Sequence, residues 1–260
     1  MMHNRTWLLG VLIGGFLVGT SGLLLGAAKS EKAGVSSTVR SGDINAVNSQ
    51  IVVGGGSVVQ TDSGLVVGNG RRVTKAIPVA EPFHGIDLSG VFKAEVICGS
   101  SALVEVLIDE NLQSLIKTTV RDGILSVRFT KPVQTKENPH LKIVLPSLDI
   151  LQMSGSDTVR AVGVKGKSFR LTHEGTGEVA LAGQVENFSC TASGIGEVDA
   201  SKLVCRSADV SISGVGGVTC RPEAKLKASL SGIGNVYCLT KPATVEKDVT
   251  GLGDVEFGEK

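Results

Sequence analysis

The chain contains 260 residues, of which 42% are hydrophobic and 3% aromatic, which is enough apolar side chain for a buried core and excludes wholesale disorder. Its formal net charge of +1 falls to zero without residues 1–28, where Arg5 is the only charged side chain. A neutral chain excludes a nucleic-acid binder that depends on a basic surface, and gives no electrostatic reason to expect an anionic membrane as partner.

The first 28 residues differ from the rest because residues 8–28 contain no charged side chain. The run ends in small residues before Lys29, which predicts a signal peptide that is cleaved after Ala28. A run of this length can also cross a bilayer, so an uncleaved signal anchor is the alternative. Both interpretations predict an exported protein in the periplasm or at the cell surface, in contact with the inner membrane only through residues 8–28 if they stay attached.

Residues 29–80 are rich in Gly, Ser and Val and contain almost no large side chains. This composition favours a flexible tether, and irregular extra coils of the following domain are the alternative. The domain itself is predicted to span residues 81–260.

Residues 81–153 show strand patterns without a regular glycine period. Within residues 92–98, Phe, Ala, Val and Cys alternate with Lys, Glu and Ile, which is typical of a strand with one buried face. An Asp-Gly pair at residues 122–123 separates two further strand-like runs and predicts a hairpin. These hairpin-like entry strands are expected to begin the domain and to cover one of its ends.

From residue 154 onward, the chain repeats one short motif six times. The copies read SGSDTV, EGTGEV, SGIGEV, SGVGGV, SGIGNV and TGLGDV, at spacings of 18 to 20 residues. Their first glycines are Gly155, Gly175, Gly194, Gly214, Gly232 and Gly251. A period this short indicates a solenoid and is too short for repeated pairs of helices.

Each copy has a valine four residues after its first glycine. These valines are Val159, Val179, Val198, Val218, Val236 and Val255. Apolar and polar residues alternate around each valine and again before each glycine, which predicts one strand on either side of the motif. The pattern therefore predicts an all-β protein, a single-stranded β-solenoid with coils of about 19 residues, in which equivalent valines form a core ladder.

The glycine pairs are interpreted as corners between two strands of one coil, where positive φ angles are expected. A phosphate-binding glycine loop occurs once, between a strand and a helix, so it does not explain six copies in strand-like sequence. Two polar residues fall on otherwise apolar positions. His173 is interpreted as a core histidine with a hydrogen-bonded ring, and Lys247 as the point where the last coil emerges into solvent.

The order of these features resembles the GIN domain, the head domain of a family described as auto-transporter adhesins. The residues that carry the resemblance are FHGIDLSGVFKAEVICG, then VEVLIDENLQSLIKTTVRDGILSVRF, then the serial SGxGxV motifs, over about residues 81–260. Asp157 stands where the first copy should have its second glycine, and Glu174 replaces the serine of the second copy. The resemblance implies a right-handed β-helix in the bacterial cell envelope and implies no catalytic residue.

The five cysteines are Cys98, Cys190, Cys205, Cys220 and Cys238. Cys220 and Cys238 share one predicted core position in neighbouring coils, so they are expected to touch. Inert buried thiols are one interpretation, and a disulfide between these two is the other, because export permits disulfides. A zinc site is not expected, since no Cys-x-x-Cys pair occurs and the histidines are scattered.

Glu178 and Glu197 occupy the same outward position in adjacent coils. Like charges directly opposite each other repel, so a cation such as Ca²⁺ could bind between them. A solvated face relieved by nearby Lys or Arg is the simpler interpretation. No cofactor is predicted, and the sequence offers no catalytic constellation.

The sequence and the resemblance together predict a non-enzymatic envelope protein that serves as an adhesin-like or scaffolding module. The partner is an unidentified envelope protein or a surface glycan, and not a nucleic acid. Because the residues after 257 include no further apolar segment, display at the cell surface is expected to need separate machinery. The alternatives are a periplasmic accessory of envelope signalling and a Ca²⁺-dependent enzyme that acts on polysaccharides, of the kind some β-helices form.

Overall fold

The computed structural model describes residues 64–79 and 81–258. The predictions for residues 1–28, and most of the predicted tether, lie outside this part of the chain. The described part contains one 3-10 helix, Glu110–Leu115, and is otherwise built from strands. The strands are β1 (Val66–Val67), β2 (Arg72–Ala76), β3 (Gly85–Ser89), β4 (Lys93–Cys98), β5 (Leu103–Asp109), β6 (Ile116–Arg121), β7 (Ile124–Phe129), β8 (Val133–Gln134), β9 (His140–Leu145), β10 (Ile150–Met153), β11 (Thr158–His173), β12 (Thr176–Ala192), β13 (Ile195–Ile212), β14 (Val215–Leu230), β15 (Val236–Cys238), β16 (Thr244–Val249) and β17 (Val255–Phe257).

The fold is a β-solenoid of about five turns, as the repeat predicts. Strands β11 to β14 are long because each one bends and continues from one side of the coil to the next. Each pairs in parallel with the strand one repeat away, at the usual spacing of about 4.8 Å. Each coil is therefore hydrogen-bonded to the coil before it and to the coil after it.

One side of the solenoid is the valine wall, which consists of residues 158–162, 176–182, 195–200 and 215–220 together with β4, β9, β15 and β17. Its inward column pairs Val159, Val179, Val198, Val218, Val236 and Val255 in consecutive register. All six side chains are buried. Burial of branched side chains on one face explains why the period-two pattern is so regular.

The second side is the opposite wall, which consists of residues 168–173, 187–192, 207–212 and 225–230 together with β3, β7, β10 and β16. Phe169 lies in register with Phe188, and their rings stack at a centroid distance of 6.1 Å. Between the two walls runs a third side, where the register shifts after Val162 and after Ala180. This side is less regular, but Val164 and Val185 still point into the core.

The N-terminal end of the stack contains a corner that the sequence analysis missed. Ser89 and Gly90 connect β3 to β4 and lie directly beneath the first repeat, where the Ser156 amide donates to the Gly90 carbonyl at 2.7 Å. Strand β4 pairs with β11 on one side and with β9 on the other, and β3 lies between β10 and β7. A layer from earlier in the chain is thus inserted between two later ones.

Antiparallel strands close this end of the solenoid. Strand β6 forms a hairpin with β7 through Asp122 and Gly123, both at positive φ, as the Asp-Gly pair predicts. Strand β5 pairs antiparallel with β9 and with β2. The rings of Phe92 and Phe129 stack beneath these strands at a centroid distance of 5.0 Å.

The corner glycines are required for close stacking as well as for the positive φ that the sequence predicts. The first glycine of each motif does not have a positive φ, and a Cβ there would overlap a carbonyl oxygen of the coil before it. The second glycines do have positive φ, for example 147° at Gly196, and are equally crowded. Close stacking of corner upon corner therefore excludes a side chain at both positions.

The two polar exceptions to the apolar columns have different outcomes. His173 lies in the core, 1% exposed, in register with Met153 and Ala192. Its Nε2 atom has no hydrogen-bond partner, so the expected hydrogen-bonded ring is wrong at this atom. Lys247 is exposed on β16, and its Nζ pairs with the Asp254 carboxylate at 3.1 Å.

Candidate functional site

Five cysteines lie in the described part of the chain. All five are free thiols in the structure, and all except Cys98 are buried. Cys220 and Cys238 are register partners on the valine wall. Burial raises the pKa of Cys190 and of Cys205 to about 12, which makes these two thiols poor nucleophiles.

Glu178 and Glu197 are register partners with exposed side chains on the valine wall, as the repeat predicts. The next position in that column is Gly217, so the ladder of carboxylates stops after two members. No group of three or more His, Cys, Asp or Glu side chains suited to a metal ion occurs among residues 64–79 and 81–258. Two carboxylates alone supply too few oxygen ligands for a firm calcium site.

Asp157 is fully buried at the first repeated corner. Its Oδ1 accepts a hydrogen bond from the Phe92 amide at 2.7 Å, whereas its Oδ2 has no partner. Burial raises the pKa of this carboxyl group. In later corners the matching amide donates to a backbone carbonyl of the next coil, as from Gly216 to Ile233 at 2.9 Å. Asp157 thus takes the place of that backbone acceptor.

The main surface feature missed by the sequence analysis is an exposed apolar column at the corners. It consists of the residue between the two glycines in four consecutive coils, and we call it the corner ridge. Its members are Ile195, Val215, Ile233 and Leu252, which are register partners and are 58%, 47%, 52% and 70% exposed. They are four of the six exposed large hydrophobic side chains in the described part of the chain, which makes the ridge its main apolar surface.

The same column is polar at its other end. Ser156 and Thr176 precede Ile195 in register and occupy the same place in their corners. Because the backbone tolerates serine and threonine there, the fold does not require an apolar residue at this position. In the sequence, the ridge residues are the variable position x of the SGxG motif. The alternation of apolar and polar residues predicts only that this position faces solvent, so it does not identify an apolar surface.

A shallow groove runs beside the corner ridge on the valine wall, with a volume of about 530 Å³. Val215 and Ile233 form its apolar edge, and Gly217 leaves its floor without a side chain. Tyr237 and the Glu256 carboxylate lie on its far side. The groove therefore offers backbone, one aromatic ring and negative charge next to the aliphatic ridge.

A second and larger groove, of about 810 Å³, lies on the opposite wall. Its floor consists of short polar side chains such as Asn187 and Ser207, and basic side chains stand around it. Two of these are engaged in ion pairs, Lys225 with Glu246 at 2.8 Å and Lys227 with Asp209 at 3.9 Å. This mixture of paired charges is typical of a solvated sheet face.

The described residues thus offer surfaces for contact and buried thiols.

The helix Glu110–Leu115, the one helix in the described ranges, is not long and apolar enough to cross a membrane.

Three comparisons with known proteins bear on this arrangement. A family model described as "Putative auto-transporter adhesin, head GIN domain" matches residues 82–242. A search of curated proteins finds no match. Among solved structures, one described as "a putative adhesin" from Bacteroides fragilis is 18% identical to this chain, with a TM-score of 0.62. The match covers 74% of this chain and 99% of the Bacteroides fragilis chain.

Two further crystal structures are similar over the same share of this chain. One, described as "a putative adhesin" from Parabacteroides merdae, is 23% identical with a TM-score of 0.44, and 98% of it is covered. The other, described as a "Putative lipid binding protein" from Parabacteroides distasonis, is 19% identical with a TM-score of 0.43, and 99% of it is covered. The family and these neighbours are named for adhesion or lipid binding, not for catalysis. At 18% identity, the Bacteroides fragilis structure shows the fold alone.

Proposed function

The chain belongs to the family of head GIN domains of auto-transporter adhesins, and from this premise we propose that it is a non-enzymatic, exported binding module. In this proposal the corner ridge contacts another protein of the cell envelope. The solenoid is the rigid frame that holds the ridge straight. The family name supports an exported or surface location, and cleavage after Ala28 with residence in the periplasm or at the surface is part of the proposal.

The observation that carries the proposal is the change of polarity along one column. Ser156 and Thr176 show that the corner folds with a polar side chain, yet the next four coils expose aliphatic ones. When a partner covers exposed aliphatic side chains, the complex is stabilised by about 25 cal/mol per Å² of apolar surface removed from water. A contiguous exposed apolar patch is the usual mark of a contact surface.

A protein fits the corner ridge better than a glycan does. Sugar rings bind on aromatic platforms, and Tyr237 is the one aromatic residue that lines the groove beside the ridge. Aliphatic side chains in a row instead match the apolar centre of a protein interface.

The test replaces the ridge by the chain's own polar alternative. A ridge variant carries Ile195→Thr, Ile233→Thr and Leu252→Thr, which copy Thr176 in the same column. A control variant carries Leu103→Thr, which removes an exposed hydrophobic side chain (37% exposed) outside the ridge. Binding of each labelled protein to purified envelope fragments is measured by sedimentation over a range of fragment concentrations. Circular dichroism and thermal unfolding check that all three proteins are folded alike.

The ridge variant is expected to bind at least about tenfold more weakly than the control, because central interface residues each contribute on the order of 1–2 kcal/mol. Protease treatment of the fragments is expected to abolish binding. Equal binding by the ridge variant would contradict the proposal. So would binding that survives protease but is lost after periodate oxidation of the envelope glycans.

The envelope-signalling alternative places the same ridge on a partner in the inner membrane. Cell fractionation separates the two, since a periplasmic accessory co-sediments with inner membranes and an adhesin-like module does not. The polysaccharide enzyme is not supported by an observation on the described residues, where Glu178 and Glu197 do not belong to a group of three or more side chains that could hold a metal ion.

A further inference from the structure

Cys220 and Cys238 face each other in the core of the valine wall. They are register partners on parallel strands β14 and β15, and both are completely buried. Register partners of this kind lie about 4.8 Å apart, within the range of Cα separations that disulfides span, about 4.4–6.8 Å. Because they share one inward column, their side chains point the same way and do not diverge.

The two sulfur atoms already interact. The Cys220 thiol donates a hydrogen bond to the Cys238 sulfur, which raises the pKa of Cys220 and lowers the pKa of Cys238 to about 7. The Thr240 backbone amide also donates to Cys238, whereas the hydroxyl hydrogen of Thr240 Oγ1 is donated to the Pro222 carbonyl. Cys238 is therefore the member of the pair that more easily becomes a thiolate, the form that attacks disulfides.

The other cysteines have no such partner. Cys190 pairs in register with Leu171 and Val210, and Cys205 pairs with Val185 and Pro222. Cys98 lies in the N-terminal layer, in register with Leu145. Only Cys220 and Cys238 occupy partner positions, so the geometry selects one cysteine pair out of the five residues.

We propose that Cys220 and Cys238 form a disulfide that joins the two coils carrying Val215 and Ile233. The oxidant is a disulfide of the exporting compartment, such as oxidised glutathione or a disulfide-donating protein. Before the coils close, the thiolate of either cysteine attacks it and releases one thiol, and the sulfur of the other cysteine then attacks the mixed disulfide and releases the second. Two S–H bonds of the chain are replaced by one S–S bond, and the two electrons and two protons leave with the reduced oxidant.

The bond would join the two coils that carry the middle of the corner ridge. Cys220 lies five residues after Val215 in one coil, and Cys238 lies five residues after Ile233 in the next. A covalent link between these coils adds to the register pairing that already holds Val215 beside Ile233. The exchange takes place before the coils close, because both sulfurs are buried once folding is complete.

Peptide mapping tests the disulfide directly, since trypsin places the five cysteines on separate peptides. Cleavage does not occur before proline, so Cys220 is found in residues 207–225 and Cys238 in residues 228–247. The full chain is refolded with a glutathione redox mixture, its free thiols are alkylated, and the digest is analysed without reduction. The matched variants are Cys220→Ala, which copies Ala200 of the same column, and the control Cys190→Ala.

The expected result is a peptide pair that links 207–225 to 228–247 in the wild type and in Cys190→Ala, and is lost in Cys220→Ala. The midpoint of thermal unfolding is expected to fall by about 5–10 °C when the wild type is reduced, because a loop of this length gains stability from its crosslink. Quantitative alkylation of all five cysteines in the refolded wild type would overturn the proposal. A bond from Cys220 or Cys238 to Cys205 would also overturn it.

Discussion

The coils from Thr158 to Phe257 and the N-terminal end from β2 to β9 bury the same kind of core in different ways. In the coils, each strand pairs in parallel with the strand one repeat away, and glycine corners allow the backbones to stack closely. At the N-terminal end, antiparallel hairpins cover the core, and the layer of β3 and β4 is inserted between strands that follow it in sequence.

Repetition of coils and closure of the stack place separate demands on the chain. A repeating stack needs glycine at the two crowded positions of each later corner, because a Cβ there would overlap the backbone of the coil before it, whereas the position between them accepts a side chain. The end of a stack needs unlike strands, because exposed parallel edges invite pairing with other chains. At the other end of the described stack, Lys247 is in register with the buried Ala228 but is itself exposed, and its Nζ pairs with Asp254.

The largest expected effect separates a corner glycine from a glycine of the N-terminal end. Gly196→Ala is expected to lower the free energy of unfolding by about 4 kcal/mol or more, because the new Cβ collides with the Gly177 carbonyl at a φ of 147°. Gly99→Ala is the control, since its Cβ would meet only Val144 at 3.5 Å, an ordinary contact. Urea unfolding measures both, and equal losses would contradict the stacking account.

The same contrast explains what the sequence could predict. The valine column and the corner glycines recur at a fixed interval, so their neighbours are known once the period is known. Gly90 belongs to the same stack, but it stands 65 residues before Gly155 and lacks a second glycine, so no period reveals it. At the N-terminal end the strands are not arranged in chain order. Their order depends on pairing between residues far apart in the sequence, which leaves no local sequence pattern.

On the surface, the alternation of apolar and polar residues predicts which side chains face outward, but not which of them form a contact surface. Glu178 and Glu197 were correctly placed side by side, and the more informative corner ridge was overlooked. The ridge becomes visible only when Thr176 and Ile195 are seen to share one position.

A second prediction compares the packing of the two regions. Phe92→Ala, at the N-terminal end, and Phe188→Ala, in the coils, are each expected to destabilise the protein by about 3–5 kcal/mol. Both rings are buried and stacked on another phenylalanine, so their removal leaves similar cavities. Guanidinium unfolding measures the two losses. A negligible loss for Phe92→Ala alone would mean that the N-terminal end is not part of the cooperative core.

The third prediction concerns the junction between the regions at Asp157. Its pKa is raised in the folded protein from an ordinary value of 3.8, so the folded state favours the protonated form. The stability this group contributes is fully present below pH 3.8 and is lost as the pH rises through the raised value. Asp157→Asn keeps an oxygen acceptor without the charge, so its stability relative to wild type is expected to increase from about pH 4 to pH 7. A constant difference across that range would contradict the burial of the carboxylate.

A fourth prediction concerns His173, whose pKa is shifted in the opposite direction to that of Asp157. Burial lowers the pKa of this histidine below its ordinary value of 6.5. The folded protein resists protonation, so stability is expected to be lost as the pH falls through 6.5 toward the lowered value. His173→Met copies Met153 of the same column and is expected to lose less stability between about pH 7.5 and pH 5. Parallel urea midpoints for the two proteins would show that His173 does not titrate in the core.

The smallest expected effect is on the exposed face of the coils. Glu197→Gln removes a like charge from its register partner Glu178 and is expected to stabilise the protein by about 0.2–0.5 kcal/mol at low salt. Millimolar Ca²⁺ is expected to leave the thermal midpoint of the wild type unchanged within error. A rise with Ca²⁺ that disappears in Glu197→Gln would instead establish a cation site between the two carboxylates.

The register of the stack is tested most directly by contacts between methyl groups in the full chain. With alanine, valine and leucine methyls labelled, nuclear Overhauser effects are expected to connect Val198 to Val179 and to Val218, but not to Val236. They are also expected to connect Ala94 to both Val159 and Leu141, as the inserted layer requires. Contacts from Val198 to other coils, or from Ala94 to neither partner, would contradict the solenoid described above.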